Sequence, residues 1–197
     1  MVTCLVNCPL LLPGLFIIAE FLYFPILIKA KTMAALSTLG IIHTAISLVA
    51  VGSGIVSLIR HGGISYRNGV GKTYVITTAL TCLTGFGIFH HGGFGKPHIL
   101  GIITLVVLAL AYAGGKKLFG RASPYVETVL YSMTFFFHLI PGVTESLTRL
   151  PVDAPIASGP DDPLVQKLVG ICFLLFLIGA TAQVIRLQRA TLIRTPA

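Results

Sequence analysis

The sequence predicts an all-α, polytopic transmembrane helical bundle, and three observations carry that prediction. Charged residues make up 10% of the 197 positions and hydrophobic residues 55%, with a mean hydropathy of +0.93; a soluble domain carries roughly 25% charged residues. Six apolar runs reach or approach the length of about 20 residues that a bilayer-spanning helix needs, at residues 5–28, 34–59, 72–91, 99–115, 124–147 and 164–185. The basic residues behind the net charge of +8 stand singly between these runs rather than in a patch. They fit membrane orientation, and nucleic-acid binding is set aside. The length suits one integral membrane domain.

Each run has local support. The first is broken by Pro13-Gly14 and carries Glu20; no Lys or Arg precedes Lys29, so it lacks the basic start of a secretory signal and is expected to stay as a helix. Along the second, Gly40, His43, Ser47, Ala50, Gly54 and Ser57 recur every three or four residues, a small-residue stripe that admits a neighbouring backbone. The third and fourth meet at a glycine-rich turn and should form a hairpin with an imidazole-rich tip, because His90, His91 and His98 lie there. Ser123-Pro124 is a fitting start for the fifth, since Ser caps and Pro suits the first turn. Pro141-Gly142 should kink or stop that helix. Residues 151–163, with four prolines and three aspartates, read as an irregular external loop before the sixth run. Runs two to five are expected to form a four-helix centre, with the first and sixth outside it.

Counting Lys and Arg in alternate connections gives nine on one side (Arg60, Arg67, Lys72, Lys116, Lys117, Arg121, Arg186, Arg189, Arg194) and five on the other (Lys29, Lys31, Lys96, Arg149, Lys167). The richer side should be cytoplasmic, which puts both termini inside and the His90–His98 turn outside. The expected location is a bacterial cell membrane.

The chain has no glycine-lysine phosphate loop, Gly-x-Ser-x-Gly elbow or His-Glu-x-x-His motif, so hydrolase and nucleotide-binding readings lose their main support. Cys4, Cys8, Cys82 and Cys172 form no CxxC pair or zinc spacing and read as small packing residues.

Polar side chains within the runs carry the functional signal, because they are costly in lipid and turn toward the bundle interior. Thr77, Thr81 and Thr84 lead along the third run toward His91, and on the fifth Glu127, Tyr131, Thr134, His138, Gly142 and Glu145 share one face. With the helices alternating in direction, Glu20, His43, His90, His91, His98, His138 and Glu145 all fall in or above the outer leaflet. Each also has a plain structural role. His90 and His91 suit a wet turn, His98 an interfacial helix start, and His43 and His138 buried rings bonded to a hydroxyl or carbonyl. Glu145 can pair with Arg149 one turn on. Glu127, near the inner end, reads as structural, and a protonated carboxyl accounts for Glu20.

Neutral imidazole is the commonest protein ligand for haem iron and a frequent one for transition metals. His43 and His138, each near a glycine, are the preferred haem b ligands, with His98 next. A non-haem metal on His43, His98, His138 and Glu145 is equally allowed by residue type. His61, the histidine on the inner side, cannot hold a second haem level alone, so a trans-membrane electron wire is not expected.

His43, the Arg67–Gly71–Tyr74-Val75 run, His98 before a small-residue helix, and Glu145-x-x-x-Arg149-x-Pro151 together resemble a family of uncharacterised bacterial multi-helix membrane proteins of the domain-of-unknown-function type, loosely similar to cytochrome b561-like bundles. The resemblance covers roughly residues 36–151 and implies a membrane bundle. Where that family has a His-Arg pair before the third helix, this chain has Tyr66-Arg67.

The leading expectation is therefore a membrane redox protein holding haem b or a transition metal near the outer face, with a quinone or redox protein as partner. The first alternative is a cofactor-free transporter, or a small-molecule or proton-binding membrane protein, built on the same polar residues. The second is an accessory subunit of a larger membrane complex, where the polar stripes only join helices.

Overall fold

The structure, a computed structural model, describes residues 38–88, 93–151 and 154–194, with side chains to residue 190. The described residues are helical with no strand: α1 (Thr38–His61), α2 (Gly69–Gly85), α3 (Lys96–Gly115), a 3-10 turn (Gly120–Ala122), α4 (Ser123–Arg149) and α5 (Pro163–Arg194). They correspond to the second to sixth apolar runs. Four spans are long and apolar enough to cross a membrane: Thr38–His61, Lys96–Gly115, Gly120–Arg149 and Pro163–Ala190. Helix α2, with 17 residues and Lys72 in its first turn, is the short, polar member of the set. The first run, with Glu20, Cys4 and Cys8, lies outside the described residues, so a sixth helix is not established.

Several boundaries differ from the sequence expectation, for local reasons. Helix α2 begins three residues early because the Asn68 side chain accepts the Gly71 N–H at 2.7 Å and caps it. It ends at Gly85 rather than at residue 91; His90 and His91 fall outside the described residues. Ser123 does not cap the helix that follows. Its hydroxyl accepts the Phe119 N–H at 3.0 Å and closes the 3-10 turn. Pro141 neither stops nor ends α4, which runs to Arg149. Around it Thr144, Ser146 and Thr148 donate to the carbonyls of Ile140, Gly142 and Thr144, so hydroxyls satisfy part of the backbone near the break.

Helix α1 packs mainly on α2, and α3 on α4; α2 touches α3, and α1 touches α4, more lightly. Helix α5 packs on α4 from outside, and most of its apolar side chains, including Leu174, Leu175 and Ile178, point away from the bundle. The core holds Ile64, Tyr74, Leu108, Ala111 and Tyr131. The stripe on α1 faces this core: Gly40, Ala50, Gly54 and Ser57 are buried, and the Phe135 ring lies 2.6 Å from where a Cβ on Gly54 would stand. At the far end of α1, Gly62 has a φ of +64°, and Arg186 occupies the space where its side chain would be. A side chain there would be strained and displaced at once.

The helices alternate in direction. One end gathers the close of α1 and α3, the start of α2 and α4, and the close of α5. Contacts at that end join Arg186 to the Gly62 carbonyl (2.8 Å) and Ser65 to Glu127 (2.7 Å). The opposite end joins Lys96 to Asp161 (3.2 Å) and His43 to Thr84 (3.1 Å).

Candidate functional site

Helix α2 carries hydroxyl groups on the face it turns to α1 and α4, and these receive the polar side chains of both. The Thr78 hydroxyl lies 3.0 Å from His138 Nε2, the Tyr74 hydroxyl 2.8 Å from Thr134 Oγ1, and Thr84 Oγ1 3.1 Å from His43 Nδ1. Tyr74, Thr78 and Thr134 are fully buried and His138 nearly so, while His43 is half-buried. In lipid a polar side chain has no water to fall back on, so these groups find one another across helices. The middle of the polar face predicted for α4, Thr134 and His138, thus meets α2, while Glu145 at its end is exposed.

His43 and His138 come together in this seam. Their threonine partners stand six residues apart on α2, about 9 Å along its axis at 1.5 Å per residue, and the two imidazoles lie within electrostatic range of each other. His43 lies within electrostatic range of Glu145. Glu145 is at the helix surface, paired with Arg149. His98 is placed differently. Buried at the start of α3, its Nδ1 accepts the Gly95 N–H at 3.2 Å and its ring stacks on Phe94 at 5.0 Å, so the contacts seen serve its own helix end. Among the described residues no three His, Cys, Asp or Glu side chains converge as a metal-holding group.

The residues proposed for haem b do not fit a flat macrocycle as packed here. The Nε2 of His138 is taken by Thr78. His43 itself packs on α2 over Gly85, with Cε1 3.2 Å from a Cβ placed there.

A second cluster lies at the arginine-rich end. Glu127 is 4% exposed, the sole buried carboxylate among the described residues. Arg67 donates to one of its oxygens and the Ser65 hydroxyl to the other. Gly114 lets α4 come close here, since a Cβ on it would stand 2.8 Å from the Glu127 nitrogen. The Tyr131 hydroxyl, one turn along α4, is buried without a hydrogen-bond partner among the described residues, within electrostatic range of Glu127, Arg67, Tyr66 and Tyr112.

Sequence reasoning singled out Thr77, Thr81 and Thr84 on this helix, named Tyr74 only within the resemblance and passed over Thr78. Thr77 instead turns back to the Thr73 carbonyl at 2.6 Å. Choosing the register 71, 74, 78, 81, 82 would have found both, since it groups a glycine, an aromatic ring and a cysteine on one buried face. Glu127 read as merely structural; its position at the head of the α4 polar face was the available signal. No protein family, curated protein or solved structure matches the chain in comparison.

Proposed function

We propose that this is an integral membrane protein that moves protons along the seam between α2 and α4 without a bound cofactor. The observation that carries this reading is the row of ionisable and hydroxyl groups on the inward face of α4. Glu127, Tyr131, Thr134 and His138 follow one another there, Tyr74 and Thr78 of α2 complete the row between them, and Glu145 stands exposed beyond its far end. From Glu127 to Glu145 is eighteen residues, about 27 Å of helix, close to the roughly 30 Å hydrocarbon core. Intramembrane ionisable residues arranged in such chains are the usual material of proton relays.

The roles follow from chemistry. Glu127 takes up a proton at the arginine-rich end when Arg67, 64% exposed, moves off its carboxylate. The Tyr131 hydroxyl, unbonded among the described residues, turns to carry it from Glu127, and Tyr74, Thr134 and Thr78 pass it on by hydroxyl exchange. His138 holds it at mid-depth, as imidazole accepts at one nitrogen and releases from the other. His43 and Glu145 complete the path to the opposite end. With the arginine-rich end in the cytoplasm, the path runs from cytoplasm to outer face.

The test is proton flux into vesicles containing the purified protein, with a potassium diffusion potential and an entrapped pH dye. Uptake should exceed that of protein-free vesicles, and His138→Ala and Glu127→Gln should each reduce it at least about tenfold, the scale of losing a proton-transfer group. Flux no faster than bare lipid overturns the reading. So does a Soret band in the absorption spectrum of the purified protein, which would restore haem chemistry in its place.

A further inference from the structure

We propose that the seat of the Arg67 guanidinium, between Ser65 and Glu127 at the arginine-rich end, also takes a small guanidinium-type cation from solution, in exchange with Arg67. Binding of this kind does not depend on proton movement. The anion of the site is a fixed part of the bundle. Glu127 is 4% exposed on α4, and its Oε1 accepts the Ser65 hydroxyl at 2.7 Å. Glycines let these parts close up: a Cβ on Gly115 would stand 3.2 Å from Glu127 Oε1, and one on Gly71 would overlap the Ser65 carbonyl oxygen. Glu127 is thus set against the end of α3, and Ser65 against the start of α2.

The cation is held differently. Arg67 reaches the site from the connection between α1 and α2, donating from Nη2 to Glu127 Oε2 and from Nε to Ser65 Oγ at 3.2 Å. Its side chain is 64% exposed. One planar fork of N–H donors therefore meets carboxylate and hydroxyl at once, so the shape and charge of a guanidinium fit here. Because the arginine stem stands in water, its departure vacates a space of that size, open to solvent.

A second observation is that Arg67 does not saturate the site. The Tyr131 hydroxyl is fully buried without a hydrogen-bond partner among the described residues, within electrostatic range of both Glu127 and Arg67. A buried hydroxyl left unmet is costly. Arg67 is tethered through Nε, whereas an untethered guanidinium ion carries an amino group on every side and can turn one toward Tyr131 while keeping the other two contacts. A buried carboxylate without any cation is costlier still, so Glu127 favours exchange of one cation for another over an empty seat.

The experiment is thermal unfolding of the purified full chain in neutral detergent with guanidinium, tetramethylammonium or sodium chloride added. A ligand that binds the folded state raises the midpoint, so about 10 mM guanidinium should lift that of Arg67→Ala by several degrees. Tetramethylammonium, which has no N–H, and sodium should not. The native protein should need at least about tenfold more guanidinium for the same rise, because Arg67 must first be displaced. Arg67→Ala/Glu127→Gln should show no rise. The proposal is overturned by a native protein that shows no rise up to about 100 mM guanidinium, or by equal sensitivity in the native protein and Arg67→Ala. An equal rise with tetramethylammonium or sodium, or a rise that survives Glu127→Gln, overturns it as well. Should the Arg67 variants fail to fold, the native protein against Ser65→Ala carries the comparison. Ser65→Ala should lose at least about half of the native rise, and an undiminished rise overturns the proposal.

Discussion

Single hydrogen bonds across helices decide how the polar seam is held. Tyr74 and Thr134 are both fully buried and bonded to each other at 2.8 Å. Such a bond in a membrane bundle is worth about 0.6 kcal/mol on average and up to about 1.7. A double-mutant cycle of Tyr74→Phe and Thr134→Val, followed by denaturant unfolding in mixed micelles, should return a coupling within that range. A coupling of zero would mean that the two hydroxyls do not bond. Asp162, in the connection before α5, accepts the N–H groups of Ser158 and Leu164 at 3.1 and 2.9 Å and the Ser158 hydroxyl at 3.1 Å. These bonds favour its charged form and hold its carboxyl below the usual range. With the folded value depressed, its stabilisation is fully present above the unfolded value of about 3.9 and is lost as pH falls through the folded one. Hydrogen exchange of the Leu164 amide should therefore keep its protection from neutral pH to about pH 4 and lose it at stronger acidity. Asp162→Asn should flatten that dependence.

Helix faces were legible where composition alternates sharply, and illegible where hydroxyls line both sides. The stripe on α1 could be read because Gly, Ala and Ser stand out against Ile and Val, and the residues singled out there do face the core. The α4 face could be read because its ionisable residues keep one spacing. On α2, threonines at 73, 77, 78, 81 and 84 go around the helix, and a hydroxyl can bond to its own backbone one turn back, so periodicity alone could not tell Thr78 from Thr77. Close approach of α1 to its neighbours gives the element-scale prediction. Gly54→Ala places a methyl against Phe135 and Tyr74 and should destabilise the bundle by about 1–3 kcal/mol, the cost of overpacking. Gly54→Ala combined with Phe135→Leu should recover part of that loss in the same unfolding measurement. If Gly54→Ala alone is neutral, α1 is not seated on Phe135.

At the scale of the whole molecule, what the sequence could convey was the solvent. Low charge, long apolar runs and singly placed cations require lipid, and the four long apolar helices agree. What it could not convey was which polar residues share a bond, because depth along a helix is readable from residue number while rotation about its axis is not. Alternating helices bring His43 and His138 toward one region, and each bonds to a threonine of α2. His98 was grouped with them by depth; its Nδ1 accepts the Gly95 N–H at the start of its own helix. Glu127 was set apart by depth, yet it is the most deeply buried carboxylate among the described residues.

The polar residues toward the close of α5 have a consequence of their own. Gln183 donates to the Gly62 carbonyl at 3.2 Å while accepting the Ser132 hydroxyl at 2.8 Å, and Arg186 donates to the carbonyls of His61 and Gly62. The last helix is thus stapled to the exit of α1 by side chains, quite apart from the greasy surface it shares with α4. Cutting the peptide between α4 and α5 would leave it moored at that far tip, so the chain's final segment behaves as a bolt across the bundle and not as a loose wall.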